Sequence, residues 1–330
     1  MLASMAWMLL HLVLAAMGTW LARGYALRRS LIDLPGERRS HSIATPRGGG
    51  IAIVAAMLIG CVLLVWQWPG EQQLLVCFAV GLALVAAVGW IDDHRPLSPW
   101  SRLVVQALAA CVLAWGVYSS NGLWLHALLA FALVMVLVNV WNFMDGIDGL
   151  AASQAALVAG GLALVLGPSL WGWIAMALAA AVCGFLPFNF PKARIFLGDV
   201  GSGALGYMLA ALVVAGVTSR PAAWPLLMLP LAAFLVDASF TLLTRILRRE
   251  RWWTPHIQHA YQRWARRQGR HVGVTLAYAL FSLTALLLML CALRWRPSGA
   301  IWICLAWYAI ASWAWLIPLK DDGVNKEASP

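Results

Sequence analysis

The chain has 330 residues, 62% of them hydrophobic and only 11% charged, with a mean hydropathy of +0.80. A soluble domain carries roughly 25% charged residues, so the composition excludes a chain solvated on all sides and points to a polytopic membrane protein. The net charge of +10 raises nucleic acid as a partner, but membrane topology accounts for it better, and no nucleic-acid partner is expected.

About 20 apolar residues cross a bilayer as a helix. On that measure eleven spans are predicted, at approximately 2–22, 48–66, 74–91, 103–118, 122–140, 153–167, 170–187, 203–218, 224–243, 272–293 and 299–318. The expected fold class is all-α, a polytopic membrane bundle of about 10–11 helices. Residues 1–318 read as one integral-membrane domain and 319–330 as a polar cytoplasmic tail. The first run, Leu2–Ala22, has no basic residue before it and is long for a signal-peptide core, so it is kept as a span. The six cysteines lie singly inside apolar runs and read as small buried hydrophobes. Many of the 20 tryptophans sit near span ends, as interfacial anchors do.

Basic residues orient the bundle. Of the 23 Lys and Arg, all but Arg220, Arg294 and Arg296 fall in connections after odd-numbered spans or in the tail. The positive-inside rule puts that side in the cytoplasm, with the N-terminus outside and the C-terminus inside. Asp92, Asp93, Asp145, Asp148 and Asp199 sort to the same side from three separate connections. Their convergence predicts one assembled site.

Five stretches carry the candidate chemistry. The first cytoplasmic loop runs from Asp33 through Arg38, Arg39 and His41 to Arg47-Gly48-Gly49-Gly50. Basic residues ahead of a glycine run that opens a helix suit a phosphate-bearing ligand, or equally an anionic lipid surface. Asp92-Asp93 ends an apolar span, where adjacent carboxylates need a cation or basic partner. Arg102 either faces phosphate or anchors the fourth span at the headgroups. Asn139, Asn142, Asp145 and Asp148, each three residues after the last, predict a polar stripe along one helix surface, with Gly146 and Gly149 allowing close approach. An ordinary polar helix cap needs fewer such groups.

Phe196-Leu-Gly-Asp199-Val-Gly-Ser-Gly203 places an acid in a glycine-rich turn. Its backbone N–H groups suit phosphate oxygens, and Asp199 a hard cation. His256 and His259 share a helical face, but with no third ligand of their kind nearby they suit phosphate or sugar better than zinc. Asp237, inside the ninth span, reads as helix-pairing glue or as support for the site. Carboxylates and a diphosphate repel each other unless Mg²⁺ neutralises both, so the set points to metal-assisted phosphoryl transfer, with Mn²⁺ the alternative ion.

In this order across about eleven spans, Asp92-Asp93, Asn139-x-x-Asn142-x-x-Asp145-Gly-x-Asp148-Gly-Leu, Phe196-Leu-Gly-Asp199-x-Gly-Ser and His256-Ile-Gln-His259 resemble the polyprenyl-phosphate N-acetylhexosamine-1-phosphate transferases of glycosyltransferase family 4. Residues 256–264 look most like the branch that starts O-antigen chains. By that resemblance, Asp199 is the principal Mg²⁺ ligand, with Asp148 also at the metal site. Asp92 and Asp93 match the pair that handles metal and lipid phosphate, Asp92 being the expected base. Asn142 and Asp145 match nucleotide-sugar residues, with Asn139 nearby, and Phe196 matches a residue beside the uracil ring. His256 and His259 match two positions of the family's His-Ile-His-His motif, and Gln258 replaces the third.

The resemblance implies transfer of a HexNAc-1-phosphate from a UDP-HexNAc to undecaprenyl phosphate, releasing UMP. This would occur at the cytoplasmic face of a bacterial inner membrane, among membrane lipids, and a homodimer is compatible with it. Phospho-MurNAc-pentapeptide transfer is the nearest enzymatic alternative, though the translocase's histidine triplet is absent. A lipid-phosphate transporter or flippase is the alternative of another class. Transporters line a route at midplane depth, whereas these acids gather at one face.

Overall fold

In the computed structural model the described residues are 2–34, 44–251, 253–254, 256–295 and 297–327, without the side chains of residues 297 and 318–327. The elements are α1 (Leu2–Arg28), β1 (Ile32–Asp33), β2 (Thr45–Pro46), α2 (Ile51–Val65), α3 (Gln72–His94), α4 (Pro99–Asn121), α5 (Trp124–Phe143), α6 (Leu150–Leu166) and α7 (Leu170–Asn189). After these come α8 (Gly198–Ser219), α9 (Trp224–Leu227), α10 (Ala232–Leu247), α11 (Ala260–Gln268), α12 (His271–Trp295) and α13 (Ala300–Glu327). Among the described residues nine helical stretches are long and apolar enough to cross a membrane, and Ile51–Val65 and Leu150–Leu166 are shorter apolar helices. All eleven predicted spans are therefore helical. The protein is an all-α membrane bundle, with only an antiparallel pair of two-residue strands, β1 and β2.

The ninth span is not one continuous helix. Short 3-10 turns at Pro221–Ala223 and Leu229–Leu231 flank α9 before α10 begins. Pro221, Pro225 and Pro230 each lack the N–H that a continuous α-helix would use there.

The core is organised on α8. Every residue from Val200 to Val217 is buried, and α8 packs against α2, α3, α5, α6 and α7. An all-round apolar helix is stable only in such surroundings. Outer helices instead turn large apolar side chains outward, among them Leu9 and Trp20 of α1 and Leu280 of α12, as lipid contact requires. This corrects the expectation for the cysteines. Only Cys61 and Cys304 are buried in the protein, whereas Cys111, Cys183 and Cys291 are on its outer surface. An apolar run in a membrane helix has a lipid face as well as a core face.

Candidate active site

The loop 195–199 threads between the first connection and the end of α3, and backbone hydrogen bonds fix it there. Phe196 N–H donates to Pro46 O (2.8 Å), Gly49 N–H to Phe196 O (2.9 Å) and Gly50 N–H to Leu197 O (2.8 Å). The glycine run at Gly48–Gly50 therefore spends these N–H groups on loop 195–199 rather than offering them to phosphate. The start of α8 is engaged in the same way. Asp93 Oδ1 accepts from Asp199 N–H (3.0 Å) and Oδ2 from Val200 N–H (3.1 Å). A carboxylate suits the positive end of a helix dipole, so Asp93 ties the end of α3 to the start of the core helix. Arg47 adds to this knot, donating to the Asp93 carbonyl and lying 3.9 Å from its carboxylate.

Asp93, Arg47, Asn142, Asp145, Phe196 and Asp199 line one cavity of about 220 Å³ at this end of the bundle. Asn142, on the last turn of α5, donates to Asp199 Oδ1 and to Ser202 Oγ (3.1 Å). Asp92 lies beside the cavity, not on its wall. Its carboxylate accepts from Leu97 N–H and from Arg102 Nη1 (3.0 Å), and Arg102 Nη1 is also 4.0 Å from Asp199 Oδ1. With two donors on it, Asp92 holds Arg102, and its side chain also meets the carboxylate of Asp199.

The polar stripe does not continue as one helix. α5 ends at Phe143, and Asp145 and Asp148 occupy the turn before α6, whose N-cap Gly149 has φ +73°. Positive φ is cheap only for glycine, and it reverses the chain here. Only Asn142 and Asp145 of the four reach the cavity. Asn139 Nδ2 donates to Gln106 Oε1 (3.0 Å) and Met135 O (2.8 Å), pinning α5 to α4. Asp148 points the other way, 3.3 Å from His271 Nδ1, and its carbonyl accepts from Thr275 of α12 (2.8 Å).

The histidine segment borders the site from outside. His259 is the N-cap of α11 in a capping box with Gln262, and its ring stacks on His256 at 4.9 Å. Neither histidine lines the cavity, but Gln262 does. Asp237 of α10 now has a defined role. Its carboxylate accepts from Ala260 N–H (2.8 Å), Tyr261 N–H (3.1 Å) and Tyr278 OH (2.9 Å), and lies 3.5 Å from His259 Nδ1. It thus holds the first turn of α11 in place. Tyr261 OH reaches on to Phe143 O (3.0 Å), against Gly146, where a Cβ would land on that hydroxyl. Gln258, in place of the family histidine, donates to Glu250 (3.0 Å), which also pairs with the buried Arg245 (2.8 Å). His41 lies outside the described residues.

Electrostatics set two groups apart. Burial first, then the charges of Asp199, Asp93 and Asp148, push the Asp145 carboxyl well above the usual range. Burial, with His259 and Arg245 adding to it, lowers His256 to about 4, so its ring is neutral at pH 7.

Of the polar lining residues, Asp33, Ser202 and Gln262 lie inside stretches singled out in the sequence but without a role of their own, and Asn189 lies in none of them. Asn189 is the most informative. It ends the apolar α7, accepts from Gly149 N–H (3.0 Å) and donates to Ile195 O (3.1 Å), joining two cavity loops. A lone amide between Phe188 and Phe190 was its signal.

Residues 75–217 match the family model described as glycosyl transferase family 4. The chain is 34% identical over 286 residues to a protein named decaprenyl-phosphate N-acetylglucosaminephosphotransferase from Mycolicibacterium smegmatis, covering 72% of this chain and 69% of the relative. It is 34% identical over 236 residues to a Mycobacterium tuberculosis protein of the same name, covering 60% of this chain but only 57% of that relative's length. It is also 34% identical over 256 residues to a phospho-N-acetylmuramoyl-pentapeptide-transferase of a Synechococcus species, covering 67% of this chain and 68% of the relative. The chain thus spans less than two thirds of the Mycobacterium tuberculosis relative but more than two thirds of the other two, and it belongs to glycosyl transferase family 4.

Proposed function

We propose that the chain transfers a HexNAc-1-phosphate, of GlcNAc or FucNAc type, from a UDP-sugar to undecaprenyl phosphate, to start an O-antigen or related envelope polysaccharide. The observation that carries this reading is the convergence of Asp93, Asp145 and Asp199 with Arg47 and Asn142 on one cavity wall. The basic residues of the adjoining connections favour the cytoplasmic side of the bacterial inner membrane for that cavity, where a soluble nucleotide-sugar meets a lipid acceptor.

In the reaction, an oxygen of the lipid phosphate attacks the sugar-proximal phosphorus of the UDP-sugar. The P–O bond to the bridging oxygen breaks, and that oxygen leaves with UMP. The products are a lipid-linked sugar diphosphate and UMP. Arg47, beside Asp93, and Arg102, 4.0 Å from Asp199, are placed to hold phosphate charge. Phe196, which lines the cavity, would meet the uracil ring, and Asn142 donates to the Asp199 carboxylate. A direct displacement and a two-step route through a phosphorylated aspartate are both compatible with this arrangement.

Mg²⁺ suits this donor set. Among the described residues no three His, Cys, Asp or Glu side chains are grouped as a ready-made cage, but Mg²⁺ is ordinarily held by one or two carboxylates, waters and substrate phosphates. Burial first, and then three neighbouring carboxylates, push Asp145 up, and a bound dication would relieve the part that comes from the neighbouring charges. Asp199 and Asp145 would hold it, and it would supply neutralisation of the diphosphate and of the departing UMP. Mn²⁺ fits the same hard oxygens.

The test is incubation of the purified full-length protein with undecaprenyl phosphate, Mg²⁺ and a panel of labelled UDP-HexNAc donors. Labelled lipid and UMP in equal amounts from one donor supports the proposal. Failure with every donor, while UDP-MurNAc-pentapeptide reacts, supports the second reading, phospho-MurNAc-pentapeptide transfer, which the Synechococcus relative favours. No product from any donor overturns both in favour of a lipid-phosphate transporter.

A further inference from the structure

A second cavity, of about 260 Å³, lies where the ends of α3, α4, α6, α7 and α8 meet, and it shares no lining residue with the carboxylate cavity. Glu71, just before α3, is on its wall, whereas Asp92 and Asp93 stand in the last turn of that helix. The length of α3 puts Glu71 about 30 Å from them, at the opposite end of the bundle. The floor is apolar and interior, with Leu113 and Val117 of α4 and Val214 and Ala215 of α8 all buried. The exposed members of the lining are Ser120, Asn121 and Ser219, around the last turns of α4 and α8. The mouth therefore opens at the helix ends, and the body reaches inward to the core helix.

Among the described residues Glu71 is the one charged group of this lining. Its side chain caps no N–H of α3, and among the described residues it has no hydrogen bond or ion pair. Arg220 follows Ser219 but is exposed and off the wall, and His126 faces Asn121 at 3.2 Å. Thr218 and Ser219 also line the cavity. Their hydroxyls donate to Ala215 O and Gly216 O, each at 3.0 Å, which leaves those two oxygens only lone pairs to offer. A carboxylate without a partner, beside hydroxyl oxygens that can only accept, turns away an anion and suits an ammonium group. The volume is below that of drug-sized sites, about 300–1,000 Å³, so the ligand is small.

We propose that this cavity binds a small organic amine from solution as its ammonium ion, its N–H donated to the Glu71 carboxylate and its hydrocarbon part on the floor of Leu113, Val117 and Val214. The assignment is independent of the reaction performed at the carboxylate cavity.

The experiment is isothermal titration calorimetry of the full-length protein in phosphatidylcholine nanodiscs, with 2-phenylethylamine as the probe and empty nanodiscs as the blank. At pH 7 the wild type should bind one equivalent of the amine about tenfold more tightly than 2-phenylethanol, the scale of one charge-assisted hydrogen bond. The N,N,N-trimethyl derivative, charged but without an N–H, should also bind more weakly than the amine. Glu71→Gln should bring amine and alcohol to parity. Ala215→Met and Val117→Phe, which narrow the cavity from α8 and from α4, should abolish binding at unchanged helical content. No binding by the wild type, equal affinity for amine and alcohol, or a preference that survives Glu71→Gln overturns the proposal. Binding indifferent to both narrowing variants overturns the placement in this cavity, and equal affinity for the trimethyl derivative overturns the N–H contact. Phosphatidylethanolamine added to the nanodiscs should leave the affinity unchanged; competition by it overturns the assignment to a free amine in favour of a lipid headgroup.

Discussion

The Asp93 carboxylate and the backbone N–H of Asp199 are 3.0 Å apart, joining the end of α3 to the first turn of α8. Val200 N–H lies on the other oxygen at 3.1 Å. The side chain proposed to carry the metal thus hangs from a backbone that another acid holds, and Asp93→Asn separates the two roles. The amide keeps one acceptor oxygen and turns an NH₂ group toward an N–H. Loss of a charged hydrogen bond costs about 1.5–3 kcal/mol, so the thermal midpoint should fall together with turnover. An unchanged midpoint in a detergent melt would show that the contact does not support the fold.

Asp237 organises α11 from a distance. Replacing it with Asn leaves at least one of the Ala260, Tyr261 and Tyr278 donors facing an NH₂ group, a cost of about 1–3 kcal/mol for a buried unpaired group. The expected outcome is faster hydrogen exchange across residues 260–268 and roughly tenfold slower turnover, with exchange in α8 unchanged. Exchange at wild-type rates in α11 would contradict the capping role.

Gly146 faces the Tyr261 hydroxyl so closely that a Cβ cannot fit without movement. Gly146→Ala should impair activity by pushing α11 off the Asp145 turn. Tyr261→Phe in the same chain removes the clashing oxygen and should restore part of the loss. If the double variant is as impaired as the single one, the contact is not the cause.

Asp145 makes stability depend on pH with a definite sign. Its folded pKa is raised by burial and by Asp199, Asp93 and Asp148, so between about pH 4 and that raised value the folded chain binds more protons than the unfolded one. Stability from this group is full below about pH 4 and is lost as pH rises through the raised value. In chelator, the melting temperature of the wild type should fall from pH 5 to 7.5, Asp145→Asn should flatten that slope, and Mg²⁺ should restore the wild type at pH 7.5. Parallel slopes for the two proteins would refute the assignment.

The spans were legible because a bilayer imposes length and apolarity on each segment by itself; even the short helices Ile51–Val65 and Leu150–Leu166 fall where hydropathy puts them. What hydropathy does not encode is direction. Three-residue spacing placed Asn139, Asn142, Asp145 and Asp148 on one surface, yet the helix stops at Phe143 and two of the four turn to Gln106 and His271. The glycine runs looked like phosphate cradles because a sequence does not reveal that Phe196 O, Leu197 O and the Asp93 carboxylate, from remote segments, have already taken their N–H groups. The roles of Asn189 and Gln262 stayed hidden for the related reason that each residue gains meaning only through loops brought beside it by the fold.

The central claim is that Asp199 serves phosphoryl transfer at the shared cavity, and turnover by Asp199→Asn tests it most directly. With labelled UDP-HexNAc, undecaprenyl phosphate and Mg²⁺, the wild type should form lipid-linked product and UMP one for one. The variant, equally helical and equally monodisperse in detergent, should be slower by about 100-fold or more, the scale of losing a group that stabilises transition-state charge. Near-normal turnover by Asp199→Asn would contradict the account.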